Sequence, residues 1–316
     1  MKGFEGYKKG VNLGGWLSQC DYTKEHMDSF ITEADFKAIA ELGADHVRIP
    51  FDYNILEDAE GTFKESGFKY IDGALELCEK YHLNAVLDLH KAAGFSFDKG
   101  EMENGFFEND FLQERFYSLW EEMAFRYGHL HERTAFELLN EVTEQRYGKI
   151  WNGIVNKCIS RIRVLAPKTV ILVGSYWNNS PAAVKDLDPP FDDKIVYNCH
   201  CYDPLIYTHQ GAGWVDTIDR TVRIDYEQSG WSKEKFAEAF SEAIQFAEEN
   251  NTSLYCGEYG VIDRTVPEDA LKWFKDINSV FEEYNISRCA WSCKGMDFGL
   301  LDKRMEKVLP ELKKYL

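Results

Sequence analysis

Eight short runs of apolar and β-branched residues recur along the chain, and amphipathic stretches separate them. Parallel strands joined by crossover helices leave this imprint. The strand-like runs are Gly10 to Leu13, Ala44 to Ile49, Asn84 to Leu89, Thr134 to Leu139, Thr169 to Val173, Lys194 to Cys199, Ser253 to Cys256 and Ser287 to Ala290. Helical spacing covers Glu33 to Leu42, Phe68 to Tyr81, Asp110 to Tyr127, Lys149 to Leu165, a short piece at Pro181 to Lys185, Lys233 to Asn250, Pro267 to Tyr284 and Met305 to Tyr315. Thr32-Glu33-Ala34-Asp35 and Ser232-Lys233-Glu234-Lys235 each offer a hydroxyl cap followed by early acidic residues, which marks a helix start.

A helix after each of eight strands is the arithmetic of an α/β chain closed into a (β/α)8 TIM barrel, and it disfavours an open sheet. With 44% hydrophobic residues and no Ser/Pro-rich or poly-charged linker, residues 1–316 read as one catalytic domain. The stretch from about 204 to 232 has neither strand nor helix pattern, and a connection of that length is expected to border a functional cleft.

The formal charge of −18 opposes nucleic acid and anionic membrane surfaces, so the expected partner is neutral or cationic. No apolar run reaches the length of a membrane span, and Met1 to Lys9 lacks a signal-peptide core. Location stays open between cytoplasmic and secreted after loss of a leader, and a monomer is expected. The eight cysteines sit mostly in apolar segments and read as free buried thiols.

In a barrel of this kind chemistry sits where strands end. Arg48 stands near the end of the second run, His90 follows the third, Asn140-Glu141 the fourth, and Trp177 lies in the segment after the fifth. The sixth leads into His200 and Tyr202, the seventh into Glu258, and the eighth into Trp291. Burying an unpaired polar group costs about 2 to 7 kcal/mol, so polar residues ending so many apolar runs mark a site. Two carboxylates across the barrel mouth, with no phosphate loop and no His-x-His metal cluster, fit glycosidic bond hydrolysis: one protonates the leaving oxygen and the other attacks the anomeric carbon. No cofactor and no metal are called for.

Gly10-Val11-Asn12-Leu13-Gly14-Gly15-Trp16, His46-Val47-Arg48-Ile49-Pro50, Leu87-Asp88-Leu89-His90, Phe136-Glu137-Leu138-Leu139-Asn140-Glu141, His200-Cys201-Tyr202 and Tyr255-Cys256-Gly257-Glu258-Tyr259-Gly260 together resemble glycoside hydrolase family 5, over nearly the whole chain. The resemblance implies Glu141 as acid/base, Glu258 as nucleophile and Asn140 as donor to the sugar 2-hydroxyl. It implies that Arg48, His90, His200 and Tyr202 surround them, and that Trp291 floors the subsite of the sugar being cleaved. It is nearest to compact bacterial endo-β-1,4-glucanases acting on cellulose-type or mixed-linkage β-glucan. β-Mannanase, broad β-1,4-glucanase/mannanase/xylanase and exo-β-1,3-glucanase remain alternatives with the same mechanism. Lys91 departs from the pattern, in which a second histidine is common.

Other residues carry narrower expectations. Glu137, inside an apolar strand, should pair with a buried base, most simply Arg48. The charge of Glu258 should raise the pKa of Glu141. Strand parity puts His200 and Tyr202 on one face, Cys199 and Cys201 on the other, and Cys256 on the Glu258 side if that strand stays regular. Trp177 is either a sugar platform or wall packing, Phe95 and Phe97 are candidates to line the non-reducing-end subsites, and Trp16 and Trp214 read as anchors.

Overall fold

The computed structural model describes residues 1–316 except Lys99 and Glu101. Eight parallel strands close into a barrel in sequence order: β1 Lys9–Asn12, β2 His46–Asp52, β3 Asn84–Lys91, β4 Thr134–Glu137, β5 Ile171–Gly174, β6 Ile195–Cys201, β7 Ser253–Tyr259 and β8 Ser287–Ala290. β8 pairs back onto β1, which removes both sheet edges. The expected (β/α)8 barrel is therefore the fold.

Six long helices among the described residues pack outside it: α1 Glu33–Glu41, α2 Glu65–Lys80, α3 Asp110–Tyr127, α4 Gly148–Leu165, α5 Lys233–Glu249 and α6 Pro267–Tyr284. Their sequences explain them. α6 begins on Pro267, carries Glu268 and Asp269 in its first turn and ends on Asn285 at φ 55°, while Ala270, Trp273, Phe274, Ile277 and Phe281 form its buried stripe. Two expected helices depart from their patterns. The crossover at Pro181–Asp186 is a 3-10 segment, and only Leu309–Leu312 is α-helical where a helix over Met305 to Tyr315 was expected. Pro310 falls in the first turn of that piece, where its missing N–H does no harm but would break a longer helix. The connection from 204 to 232 holds only the helical turns Leu205–Thr208 and Glu227–Ser229. Gln210 braces it by bonding both the N–H and the carbonyl of Ile224.

Alternation along the strands sorts their residues into two shells. Val47, Ile49 and Phe51 of β2 join the outer core against the helices, whereas the side chains of His46 and Arg48 bond across the lumen. At the bottom of the lumen Phe4, Tyr7, Val86, Ala135, Leu172, Val196, Tyr255 and Cys289 form a separate apolar plug. Gly10 is needed beside it, because a Cβ there would sit 2.3 Å from the His46 ring. One step up each strand the lining turns polar, with Arg48, Asp88, Glu137 and Asn198 all fully buried.

Cys199 and Cys201 lie in the outer shell as parity requires, but Cys256 lies there with them and not on the Glu258 side. The register slips between β6 and β7, from Cys199 opposite Cys256 to His200 opposite Glu258. Gly257 is the extra residue of this bulge, and it returns Glu258 to the lumen face. All eight cysteines are free thiols, buried except for the partly exposed Cys20.

Candidate active site

The site is built on Arg48, whose five N–H donors are all engaged. Nε and Nη2 form a bidentate pair with Glu137 at 2.7 and 2.8 Å, as its strand-interior position led us to expect. Nη1 reaches Asn12 Oδ1 at 2.9 Å and Glu258 Oε1 at 2.7 Å, and Nη2 also reaches Asn140 Oδ1 at 2.8 Å. Asp88 lies 3.0 Å away. A fully buried cation with this many partners is a rigid frame: it fixes one glutamate of the mouth and the asparagine that precedes the other.

Glu141 follows β4 with its backbone at φ 45°, an uncommon left-handed conformation for a residue with a side chain. Its Oε1 meets His200 Nδ1 at 2.8 Å, and its Oε2 accepts from Asn178 Nδ2 at 2.9 Å. Burial is the largest cause holding its carboxyl above the usual range, and Asn178, His90 and Arg48 pull the other way. The expectation that Glu258 would supply this shift is thus replaced by desolvation. Glu258 accepts Arg48 on Oε1 and the Tyr202 hydroxyl on Oε2 at 2.8 Å. A carboxylate oxygen of Glu141, one of Glu258 and a ring nitrogen of His200 all lie within 4.8 Å of one another.

His200 is pushed down to about 4 by burial, so its ring is neutral. Asn179 Nδ2 lies 3.4 Å from Nε2, which leaves the proton on Nδ1 facing Glu141. His90 Nδ1 lies 2.6 Å from Asp88 Oδ2; burial pushes His90 down and Asp88 up to about 7. Trp291 stacks parallel to His90 at 5.8 Å, forming one wall. Asn140 Nδ2 is buried without a protein partner among the described residues, a donor left over for something that enters the mouth. The Glu141–His200–Glu258 trio has the spacing of a metal site, but Arg48 and Tyr202 already occupy both oxygens of Glu258 and put a positive charge where a cation would sit.

The mouth thus assembles Arg48, His90, Asn140, Glu141, His200, Tyr202, Glu258 and Trp291. Trp177 stands beside it, half exposed, one residue before the Asn178 that touches Glu141. Phe97 packs edge-on against His90 at 5.0 Å, whereas Phe95 is buried against Phe106 and Phe107. Trp16 is an anchor, its indole N–H bonded to Met27 O; Trp214 is largely exposed on the long connection. Lys91 bonds the Tyr22 hydroxyl at 2.7 Å and lies 3.7 Å from Asp52. Sequence reasoning missed Asn12, Asp88, Asn178 and Asn198. Period-two counting from His90 and His200 would have placed Asp88 and Asn198 in the lumen; Asn178 is reached only through three consecutive left-handed residues, Trp177 to Asn179.

Comparison with known proteins settles the kinship. The family profile described as "Cellulase (glycosyl hydrolase family 5)" matches residues 5–297. The chain belongs to glycosyl hydrolase family 5. It is a glycoside hydrolase of the cellulase type. It is 55% identical to Cellodextrinase A of Ruminococcus flavefaciens, over 90% of this chain and 84% of that one. It is 40% identical to Endoglucanase C of Acetivibrio thermocellus, over 97% and 96%. Among solved structures, the clostridial cellulose synthase subunit Z from Clostridioides difficile superposes with a TM-score of 0.83 at 26% identity, covering 97% of this chain and 99% of that one. A hyperthermophilic endo-β-1,4-glucanase in complex with substrate shares the fold, with a TM-score of 0.84 at 22% identity and coverage of 98% and 96%.

Proposed function

We propose that the protein is a retaining endo-β-1,4-glucanase in which Glu258 is the nucleophile and Glu141 the acid/base. The observation that carries this reading is that one carboxylate oxygen of Glu141 and one of Glu258 lie within 4.8 Å of each other, nearer to the short separation of a retaining pair than to the about 6.5 to 9.5 Å of an inverting one. In the first step a Glu258 oxygen bonds to the anomeric carbon, the glycosidic C–O bond breaks, and the Glu141 proton passes to the leaving oxygen. In the second, ionised Glu141 takes a proton from water as the water oxygen attacks the same carbon and releases the Glu258 carboxylate.

The surroundings support these roles. Burial keeps Glu141 protonated further up the pH scale, as a general acid requires. Arg48 and Tyr202 hold Glu258 in place, and Tyr202 stays protonated because burial drives its hydroxyl well above the ordinary range. Asn140 Nδ2 is free to meet the sugar 2-hydroxyl, Trp291 gives a flat apolar face, and His90 and His200 complete the wall. Trp177, beside the acid/base, is a platform for the departing part of the chain.

The names of the two relatives favour cellulose-type β-1,4-glucan, with soluble cellodextrins as a second reading carried by the 55% identity to a cellodextrinase. Hydrolysis products from cellodextrins, carboxymethylcellulose, mixed-linkage glucan, mannan and xylan test the choice. The reading requires internal cleavage of the glucans and first-formed β-anomers; α-anomers would remove the retaining mechanism.

A further inference from the structure

Glu258 stands just past a break in two ladders at once. Against β6 the pairing jumps from Cys199 opposite Cys256 to His200 opposite Glu258, and against β8 it jumps from Cys256 opposite Arg288 to Tyr259 opposite Ala290. A bulge leaves its extra residue unpaired, so the buried N–H and carbonyl of Gly257 need partners from outside the ladders.

Side chains supply them. Asn198 Oδ1 accepts the Gly257 N–H at 3.0 Å, and Asn12 Nδ2 donates to the Gly257 carbonyl at 2.9 Å. From the outer shell the Cys256 thiol, a weak donor, reaches the Glu258 carbonyl at 3.3 Å. The fit around the bulge is tight: a Cβ on Gly257 would lie 2.7 Å from Asn198 Oδ1 and 3.0 Å from His200 Nε2.

Asn198 is the member that leads back to the frame of the site. Its Nδ2 donates to Glu137 Oε1 at 2.8 Å, and Glu137 holds Arg48 through both oxygens. Arg48 in turn bonds Glu258 Oε1 at 2.7 Å. One buried network therefore grips Glu258 at both ends, its carboxylate through Arg48 and its backbone through the peptide that Asn198 holds.

We propose that Asn198 is a positioning residue for the nucleophile, clamping the Gly257 bulge to the Glu137–Arg48 pair and so setting where the Glu258 carboxylate meets the anomeric carbon. The proposal rests on the reading of Glu258 as nucleophile and deepens it. Misplacing a reacting group by about 1 Å costs up to about 10²-fold in rate.

The test compares 2,4-dinitrophenyl β-cellobioside, whose leaving group departs without a proton, with cellopentaose, whose leaving group needs one. First-turnover rates at saturating substrate are expressed per active site titrated with a 2-fluoro cellobioside, so that a smaller folded fraction does not register as slower chemistry. Asn198→Ala is expected to lower this rate about 10- to 100-fold on both substrates, with the half-saturating concentration held within about twofold. Gly257→Ala drives a methyl against the same Asn198 oxygen and should slow the same step. Added to Asn198→Ala, which vacates that space, it should cost less by a factor of at least about three than it does alone. Cys256→Ala removes only the thiol bond and should slow the step about 2- to 5-fold, while Cys158→Ala, at a buried thiol of α4, should match the parent.

A per-site rate in Asn198→Ala within about twofold of the parent overturns the clamp, as does a loss confined to cellopentaose or a strictly multiplicative loss in the pair. If Asn198→Ala does not fold, Gly257→Ala decides alone, and a parental rate there overturns the clamp. Failure of the nucleophile reading shows elsewhere, in a parent enzyme that the 2-fluoro cellobioside inactivates without an adduct on Glu258.

Discussion

The floor and the mouth of the barrel lumen use the same side chains and do different work. On the floor His46 Nδ1 meets Asp45 at 2.7 Å and Nε2 meets the Tyr255 hydroxyl at 2.9 Å, beneath an apolar plug. Each ring nitrogen is satisfied by a protein group, and burial keeps the ring's pKa low. At the mouth His200 is just as neutral and just as buried, but its Nδ1 points at Glu141 and lies 3.7 Å from Glu258. There Asn140 Nδ2 has no protein partner among the described residues, and an oxygen of each of two carboxyls sits within 4.8 Å of the other. Closed hydrogen-bond accounts make a structural layer. An open account, with donors and a proton to spare, makes a reactive one.

Substitutions on the two layers should therefore separate stability from turnover, and the separation can be tested from its strongest case downward. Glu141→Ala should cost about 10³- to 10⁴-fold in kcat/KM on cellodextrins while sparing the fold, with a smaller loss on aryl glycosides whose leaving groups need no proton. Its pH profile checks the sign. Burial raises the Glu141 pKa, so the acid form and the activity persist below that pKa and are lost as pH rises through it. In Glu141→Ala the alkaline limb should be missing, and an unchanged limb would assign it elsewhere.

Asn140→Ala removes only the leftover donor and the Arg48 contact, and a kcat loss of about 10²-fold is expected with KM little changed. Glu137→Ala lies between the layers. It strips Arg48 of its bidentate partner and should cost about 3 to 5 kcal/mol of stability in denaturant melts, with kcat falling as Arg48 loosens its hold on Glu258. The smallest effect belongs to the floor. Tyr255→Phe removes the hydroxyl partner of His46 and should cost about 1 to 3 kcal/mol without moving kcat/KM, and a large kinetic effect would break the division between layers.

The barrel and both glutamates were legible because they rest on periodicity and on strand ends, which survive in sequence as local pattern. The Arg48–Glu137 pair was legible for a related reason: a charge inside an apolar run must find its opposite. The bulge at Gly257 was not, since parity counting carries no information about a register slip set by neighbouring strands, and Cys256 would share the Glu258 face only in a regular strand. Asn178 was equally hidden, because its approach to Glu141 depends on a left-handed backbone run. The shortened final helix could have been foreseen from Pro310.

The central claim is that Glu258 forms a covalent bond to the sugar. A 2-fluoro cellobioside with a good leaving group slows the second step more than the first, so the ester accumulates and can be located by peptide mass spectrometry. The account predicts one fluoro-cellobiosyl adduct per chain, on the peptide containing Glu258, appearing as activity is lost and released as it returns. An adduct on Glu141, or inactivation with no adduct at all, would contradict it.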